Sequence, residues 1–98
     1  MKLLEKSVRK NGFTYNLIKR TENVAIYEQV DNVSLDKPFT TAYEVFIIKN
    51  KDDVELFPSN KCFGETAWTY TVINEETDKE QSFKKAFNKF ELLCSKYI

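Results

Sequence analysis

From Phe83 to Tyr97 the apolar residues Phe83, Ala86, Phe87, Phe90, Leu93, Cys94 and Tyr97 recur at intervals of three and four. That period matches the 3.6 residues of a helical turn, so the segment reads as one helix with a single apolar stripe. Acidic residues (Glu75, Glu76, Asp78, Glu80) gather at its start and lysines (Lys84, Lys85, Lys89, Lys96) follow, the order that complements a helix dipole. Thr77-Asp78-Lys79-Glu80 reads as a capping box, with the threonine hydroxyl and the glutamate carboxylate satisfying first-turn amides. A helix from Asp78 to Tyr97 is about 30 Å long. Its stripe has to be buried, and the only large partner the chain offers is a sheet.

The strands are read from alternation and turn residues. Asn11-Gly12, a pair suited to a tight type I′ turn, separates Leu3 to Arg9 from Phe13 to Arg20. In the second arm Phe13, Tyr15 and Leu17 share one face, and Thr14, Asn16, Ile18 and Arg20 the other. In the first, Leu4 and Val8 share a face with Lys6 and Lys10, which suits an edge strand guarded by charge. Thr21-Glu22-Asn23 reverses the chain into Val24 to Val30, and Asp31 to Thr40 has the composition of a polar, mobile loop. Ala42 to Ile48 is apolar on both faces at its end, as in an interior strand covered on two sides. Lys49 to Asp53 turns the chain before Val54 to Phe57, and Pro58 ends that piece. Ser59 to Gly64 has the residues of a single helical turn. Ala67 to Ile73 reads as a short strand or extended crossing, with Trp68, Tyr70 and Val72 on one face. The expected architecture is α+β. An antiparallel β-meander of four to five strands covers about 2–57, a turn and extended segment 59–73, and one long amphipathic helix, about 78–97, packs on one face.

Ninety-eight residues make one domain. The chain has no histidine, which removes Ser-His and Cys-His nucleophile pairs and the usual zinc ligands apart from two separated cysteines. The adjacent pairs Asp52-Asp53 and Glu75-Glu76 diverge on a strand or helix, and Gly12 and Gly64 cannot build a phosphate loop. The expectation is a protein without catalytic residues, metal or cofactor. No run of eighteen apolar residues is present, and Met1 to Lys6 lacks the long apolar core of a signal peptide. Cys62 and Cys94 are too few for a small secreted scaffold and read as free thiols, so the cytoplasm is the expected compartment.

Phe57-Pro58-Ser59-Asn60-Lys61-Cys62-Phe63-Gly64-Glu65-Thr66-Ala67-Trp68-Thr69-Tyr70, followed by Lys85-Ala86-Phe87-Asn88-Lys89-Phe90, resembles small uncharacterised proteins of Bacteroidales and their crAss-like phages. Asn11-Gly12-Phe13-Thr14-Tyr15 and Val24-Ala25-Ile26-Tyr27-Glu28-Gln29 are similar too, so the resemblance touches most of the chain. It implies a shared fold and a phage or mobile-element setting, hence a bacterial host cytoplasm, and carries no catalytic residues. One departure is the stretch from Thr71 to Lys79, longer than the direct passage into the helix seen in those proteins.

Charge by segment adds a second layer. Lysine and arginine balance aspartate and glutamate at fifteen each, yet residues 1–20 carry net +5, residues 21–60 net −5, and the remainder zero. A basic hairpin with Phe13 and Tyr15 beside Lys10, Lys19 and Arg20 has the ingredients of a single-stranded nucleic-acid site, with cations for phosphates and rings for bases. The plainer alternative is that these bases pair with acids on neighbouring strands. Fourteen aromatic rings exceed what one helix-sheet contact requires. Rings left at the surface, Trp68 and Tyr70 foremost, would mark a protein-binding patch or a homodimer contact. Binding of a host or phage protein is the leading expectation, single-stranded nucleic acid the alternative, and no membrane partner is expected.

Overall fold

A computed structural model describes residues 2–10, 12–31, 38–58, 65–74 and 76–97. In chain order the elements are β1 (Ser7–Lys10), β2 (Phe13–Arg20), β3 (Val24–Asp31), β4 (Phe39–Ile47), β5 (Lys49–Lys51), β6 (Val54–Leu56), β7 (Ala67–Thr71) and α1 (Lys79–Lys96). Strands β1-β2-β3-β4-β7 form one antiparallel sheet in that order, and β5-β6 form a separate two-stranded ribbon. The fold is α+β, a four-strand meander extended by β7 and packed under one helix.

The first hairpin closes with Lys10 opposite Phe13 and Gly12 at φ 83°, a conformation open to glycine at no steric cost. Asn11 lies outside the described residues, as do the turn expected at 59–64 and Cys62. Asp52 and Asp53 form the tip of the ribbon with φ of 54° and 63°, which aspartate tolerates better than most residues. Their adjacency serves a turn.

Several boundaries differ from expectation, each for a long-range reason. The first strand begins at Ser7, with Lys6 O still accepting from Leu17 N of β2 at 2.8 Å, because residues 2–5 turn to the ribbon; Lys2 exchanges backbone hydrogen bonds with Asp53 and Glu55 there, at 2.7 and 2.8 Å. Val54 to Leu56 pairs with Lys49 to Lys51 and, through a single parallel bridge at Val54, with Lys2, so it belongs to the ribbon and not to the meander. Of the two alternatives for Ala67 to Ile73 the short strand holds, paired with β4 and ending at Thr71. Asp31, Phe39 and Thr40, expected in a loop, are strand residues, and 32–37 lie outside the described residues.

A bulge in β2 also reassigns its faces. Leu17 pairs with Tyr27, but the next pair is Lys19 with Ile26, leaving Ile18 as the extra residue. Strict alternation is thereby broken: Lys19 moves to the helix side, and Arg20, opposite Ala25, joins the face of Tyr15 and Leu17.

The capping box does not form. Asn74 organises the entry to α1, its side-chain carbonyl accepting from Glu76 N and its backbone carbonyl from Thr77 N and Asp78 N. This turn places Asp78 at the N-cap, with no side-chain cap bond, so Thr77 falls one residue before the cap and Glu80 at the second helical position, and the two cannot make the reciprocal bonds of a capping box. At the other end Tyr97 N bonds Leu93 O, and Asn23 Nδ2 donates to Tyr97 O at 2.6 Å, tying the helix to the β2-β3 turn.

The sheet is buried on both sides. On one, Val24, Ile26, Tyr43 and Val45 meet Ala86, Phe90 and Leu93, with Phe83, Phe87, Trp68 and Tyr70 around them. On the other, Tyr15, Ala25, Tyr27, Phe46 and Ala67 meet Leu4, Val8 and Phe57. Phe57 is the centre of this second cover, its ring 5.0 Å from Tyr15, 5.0 Å from Tyr27 and 5.1 Å from Phe46. The interior position expected for β4 follows directly: Val45 faces the helix and Phe46 the second cover, each fully buried. Among the described residues no helix is long and apolar enough to cross a membrane.

Candidate interaction edge

Strand β7 borders the sheet. Thr66 O accepts from Ile47 N and Val72 N donates to Thr41 O, both at 2.9 Å, so the even-numbered residues here point their backbone groups at β4. Antiparallel alternation then turns the N–H and C=O of Ala67, Thr69 and Thr71 away from the sheet. Among the described residues β4 is the only strand that pairs with β7. The carbonyl of Thr71 accepts from Ser82 Oγ at 2.8 Å, leaving the amides of 67, 69 and 71 and the carbonyls of 67 and 69 along the border.

The side chains leave this border unguarded. Ala67, Trp68, Thr69, Tyr70 and Thr71 include no charge and no proline. Natural edges usually carry such residues to prevent pairing with other chains, and β1 at the opposite border has Arg9 and Lys10. Trp68 and Tyr70 lie half-buried on the helix side, and Thr69 and Thr71 are exposed on the other. Lys89 Nζ stands 4.1 Å from the centre of the Trp68 ring. Burial raises the Tyr70 hydroxyl above the usual tyrosine pKa.

The residues of the basic hairpin are placed differently. Arg20 holds Glu55 through two nitrogens, at 2.5 and 2.8 Å, with Nε on Thr21 O. The hydrogen bonds from Arg20 keep the Glu55 carboxyl below the usual carboxylate range. Glu55 Oε1 also accepts from Leu4 N, so the pair clamps the N-terminal segment and the ribbon onto β2. Lys10 Nζ donates to Pro58 O at 3.2 Å and lies 5.4 Å over the Phe57 ring. Phe13 is half-buried in the second cover and Tyr15 is buried there, its hydroxyl pushed up by burial and by Glu44. Lys19 is on the opposite face, 5.8 Å over Phe87. The five residues Lys10, Phe13, Tyr15, Lys19 and Arg20 therefore do not form one surface, whereas Trp68 and Tyr70 do come together.

Glu44 was not among the residues singled out from the sequence, although a glutamate inside the run Ala42 to Ile48 is a visible anomaly. It is 6% exposed on the second-cover face, between Tyr27 and Thr69 in register. Burial pushes its carboxyl up to about 7, with Lys10 opposing. Among the described residues no three acidic or cysteine side chains gather to hold a metal ion. An open depression of about 380 Å³, bordered by Tyr43, Phe83, Lys79, Glu76 and Glu80, lies near the helix start. No protein-family model, curated protein or solved structure matches the chain.

Proposed function

We propose that this protein acts by binding another protein, with no chemistry of its own, and that it serves a phage or mobile element whose target is a host or viral protein in the bacterial cytoplasm. One observation carries the reading: β7 presents outward backbone donors and acceptors along an uncharged border that bears Trp68 and Tyr70. A chain that adds a strand there gains main-chain hydrogen bonds for affinity and side-chain contacts on alternate residues for specificity. The missing histidine supports the non-enzymatic part, and the sequence resemblance supports the setting. A nucleic-acid role for the first hairpin draws less support, since Arg20 and Lys10 are engaged with Glu55 and Pro58.

The experiment is affinity capture from host lysate with the native chain and with Thr69→Pro. The Thr69 amide points away from β4, so proline removes an outward donor without removing a ladder bond. A partner retained by the native chain and lost with Thr69→Pro, at unchanged circular dichroism, is the expected result. Tight oligonucleotide binding that weakens steeply with salt, with no captured protein, overturns the proposal.

A further inference from the structure

The chemistry of the partner can be read from the helix flank that overhangs β7. Two contacts identify that flank: Ser82 Oγ on Thr71 O and Lys89 Nζ over Trp68. The other flank faces β2, β3 and β4, where Phe83 meets Tyr43, Lys79 approaches Glu28 at 3.9 Å, and Phe87 lies under Lys19. Lys85, Lys89 and Lys96 are spaced by four and seven residues, so they stand in one row on the helix, the row whose member Lys89 lies over Trp68 of β7. Glu80, Lys84 and Glu91 lie beyond Phe87 on the other side, with Lys84 and Glu80 3.7 Å apart. Among the described residues no ion pair engages Lys85, Lys89 or Lys96. The helix thus sorts its charges, and the flank that Lys89 places over the border strand carries lysines and no acid.

We propose that β7 accepts an extended acidic segment of a partner protein, pairing with the outward amides and carbonyls of Ala67 and Thr69 while its carboxylates meet Lys85, Lys89 and Lys96. This rests on the reading of β7 as a protein-binding edge and adds the partner's charge. The spacings agree: Lys85 to Lys96 spans about 16 Å along the helix, and three alternate side chains of a strand span about 13 Å. Leu92 on the same flank and Ile73 just past β7 are 51% and 89% exposed, offering apolar contacts at the ends of the row. A second copy of the chain fits less well, because two-fold pairing of β7 would set two lysine rows against each other. A nucleic acid fits less well too, because the outward carbonyls repel phosphate, and a sugar-phosphate backbone does not repeat the alternating donors and acceptors of an extended peptide.

Trp68, the single tryptophan, is the reporter. Three seven-residue peptides, alternating Glu-Val, Gln-Val and Lys-Val, are titrated against the native chain while its fluorescence is followed, with a thymidine oligonucleotide in a fourth titration. The expected result is that the Glu-Val peptide binds at least about tenfold more tightly than Gln-Val, the equivalent of two or three exposed ion pairs. The Lys-Val peptide should not bind. In Lys85→Glu/Lys96→Glu the order of the Glu-Val and Lys-Val peptides should invert, and in Thr69→Pro, or Thr69→Lys if proline unfolds the chain, all peptide binding should fall. Equal affinity for the three peptides overturns the acidic partner and leaves the strand-binding reading standing. Binding of none of them while Thr69→Pro still abolishes lysate capture does the same. Oligonucleotide binding lost in Lys85→Glu/Lys96→Glu, or a sedimenting dimer broken by Thr69→Pro, overturns the proposal in favour of those occupants.

Discussion

The two faces of the sheet are covered by different kinds of structure. One cover is a single continuous helix whose contact residues Ala86, Phe90 and Leu93 are apolar and regularly spaced. The other is assembled from the N-terminal segment, the ribbon and Phe57, and it includes polar groups: the Arg20–Glu55 pair, Glu44, and the Tyr27 hydroxyl that donates to Glu5 O at 2.7 Å. The contacts that close it join residues 22, 35, 48 and 51 positions apart. A helix buries its stripe as one cooperative unit. A patchwork cover depends on each polar group finding its partner, since a buried group without one costs about 1–3 kcal/mol.

The largest expected effect separates the covers directly. Phe90→Ala, at a site 2% exposed, should cost about 3–5 kcal/mol and lower the protection of amides throughout the sheet. Phe57→Ala should cost about 3 kcal/mol, from cavity formation and the loss of three ring contacts. Hydrogen exchange should then show residues 2–6 and 49–56 opening while α1 stays protected. If α1 opens together with them, the two covers are one cooperative unit and the contrast fails.

Next comes pH. The Glu44 carboxyl is raised from 4.5 to about 7 in the folded chain, so the folded state holds an extra proton between those values. The stability that the protonated form contributes is fully present below about 4.5 and is lost as pH rises through about 7. Glu44→Gln should therefore be more stable than the native chain by on the order of 3 kcal/mol at pH 8, with the difference vanishing near pH 4.5. Urea melts at the two pH values measure it. A gain that is the same at both would show that burial of the charge is not its source.

The smallest expected effect concerns the helix entry. Thr77 makes no cap bond, its hydroxyl reaching only Asp78 Oδ1 at 3.4 Å, so Thr77→Ala should change stability by less than about 0.5 kcal/mol. A loss of about 1 kcal/mol in a thermal melt, the value typical of a removed N-cap, would restore the capping box.

What was legible in the sequence followed a local period. The stripe from Phe83 to Leu93, the alternation from Phe13 to Leu17 and the two-faced run from Ala42 to Ile48 each announce an element and its buried side. Ile18 stands where that logic fails: the bulge there reverses the faces of Lys19 and Arg20, and only pairing with β3 reveals it. Arg20 and Glu55 carry no mutual signal across 35 positions. Trp68 and Tyr70 could be singled out as surplus rings, but not that their strand borders the sheet. That depends on which strand pairs with β4.

The overall charge shows the same division. Residue counting alone determined that the chain is neutral, lacks histidine, and holds one amphipathic helix over a sheet, because composition and periodicity are properties of the chain itself. Only the tertiary structure decided where the signs meet. Arg20 is matched to Glu55 and Lys10 lies against the second cover, while Lys89 stands over Trp68 of the border strand. Electrostatic interaction depends on distance in space, and in this protein the fold sets those distances through contacts far apart in the chain.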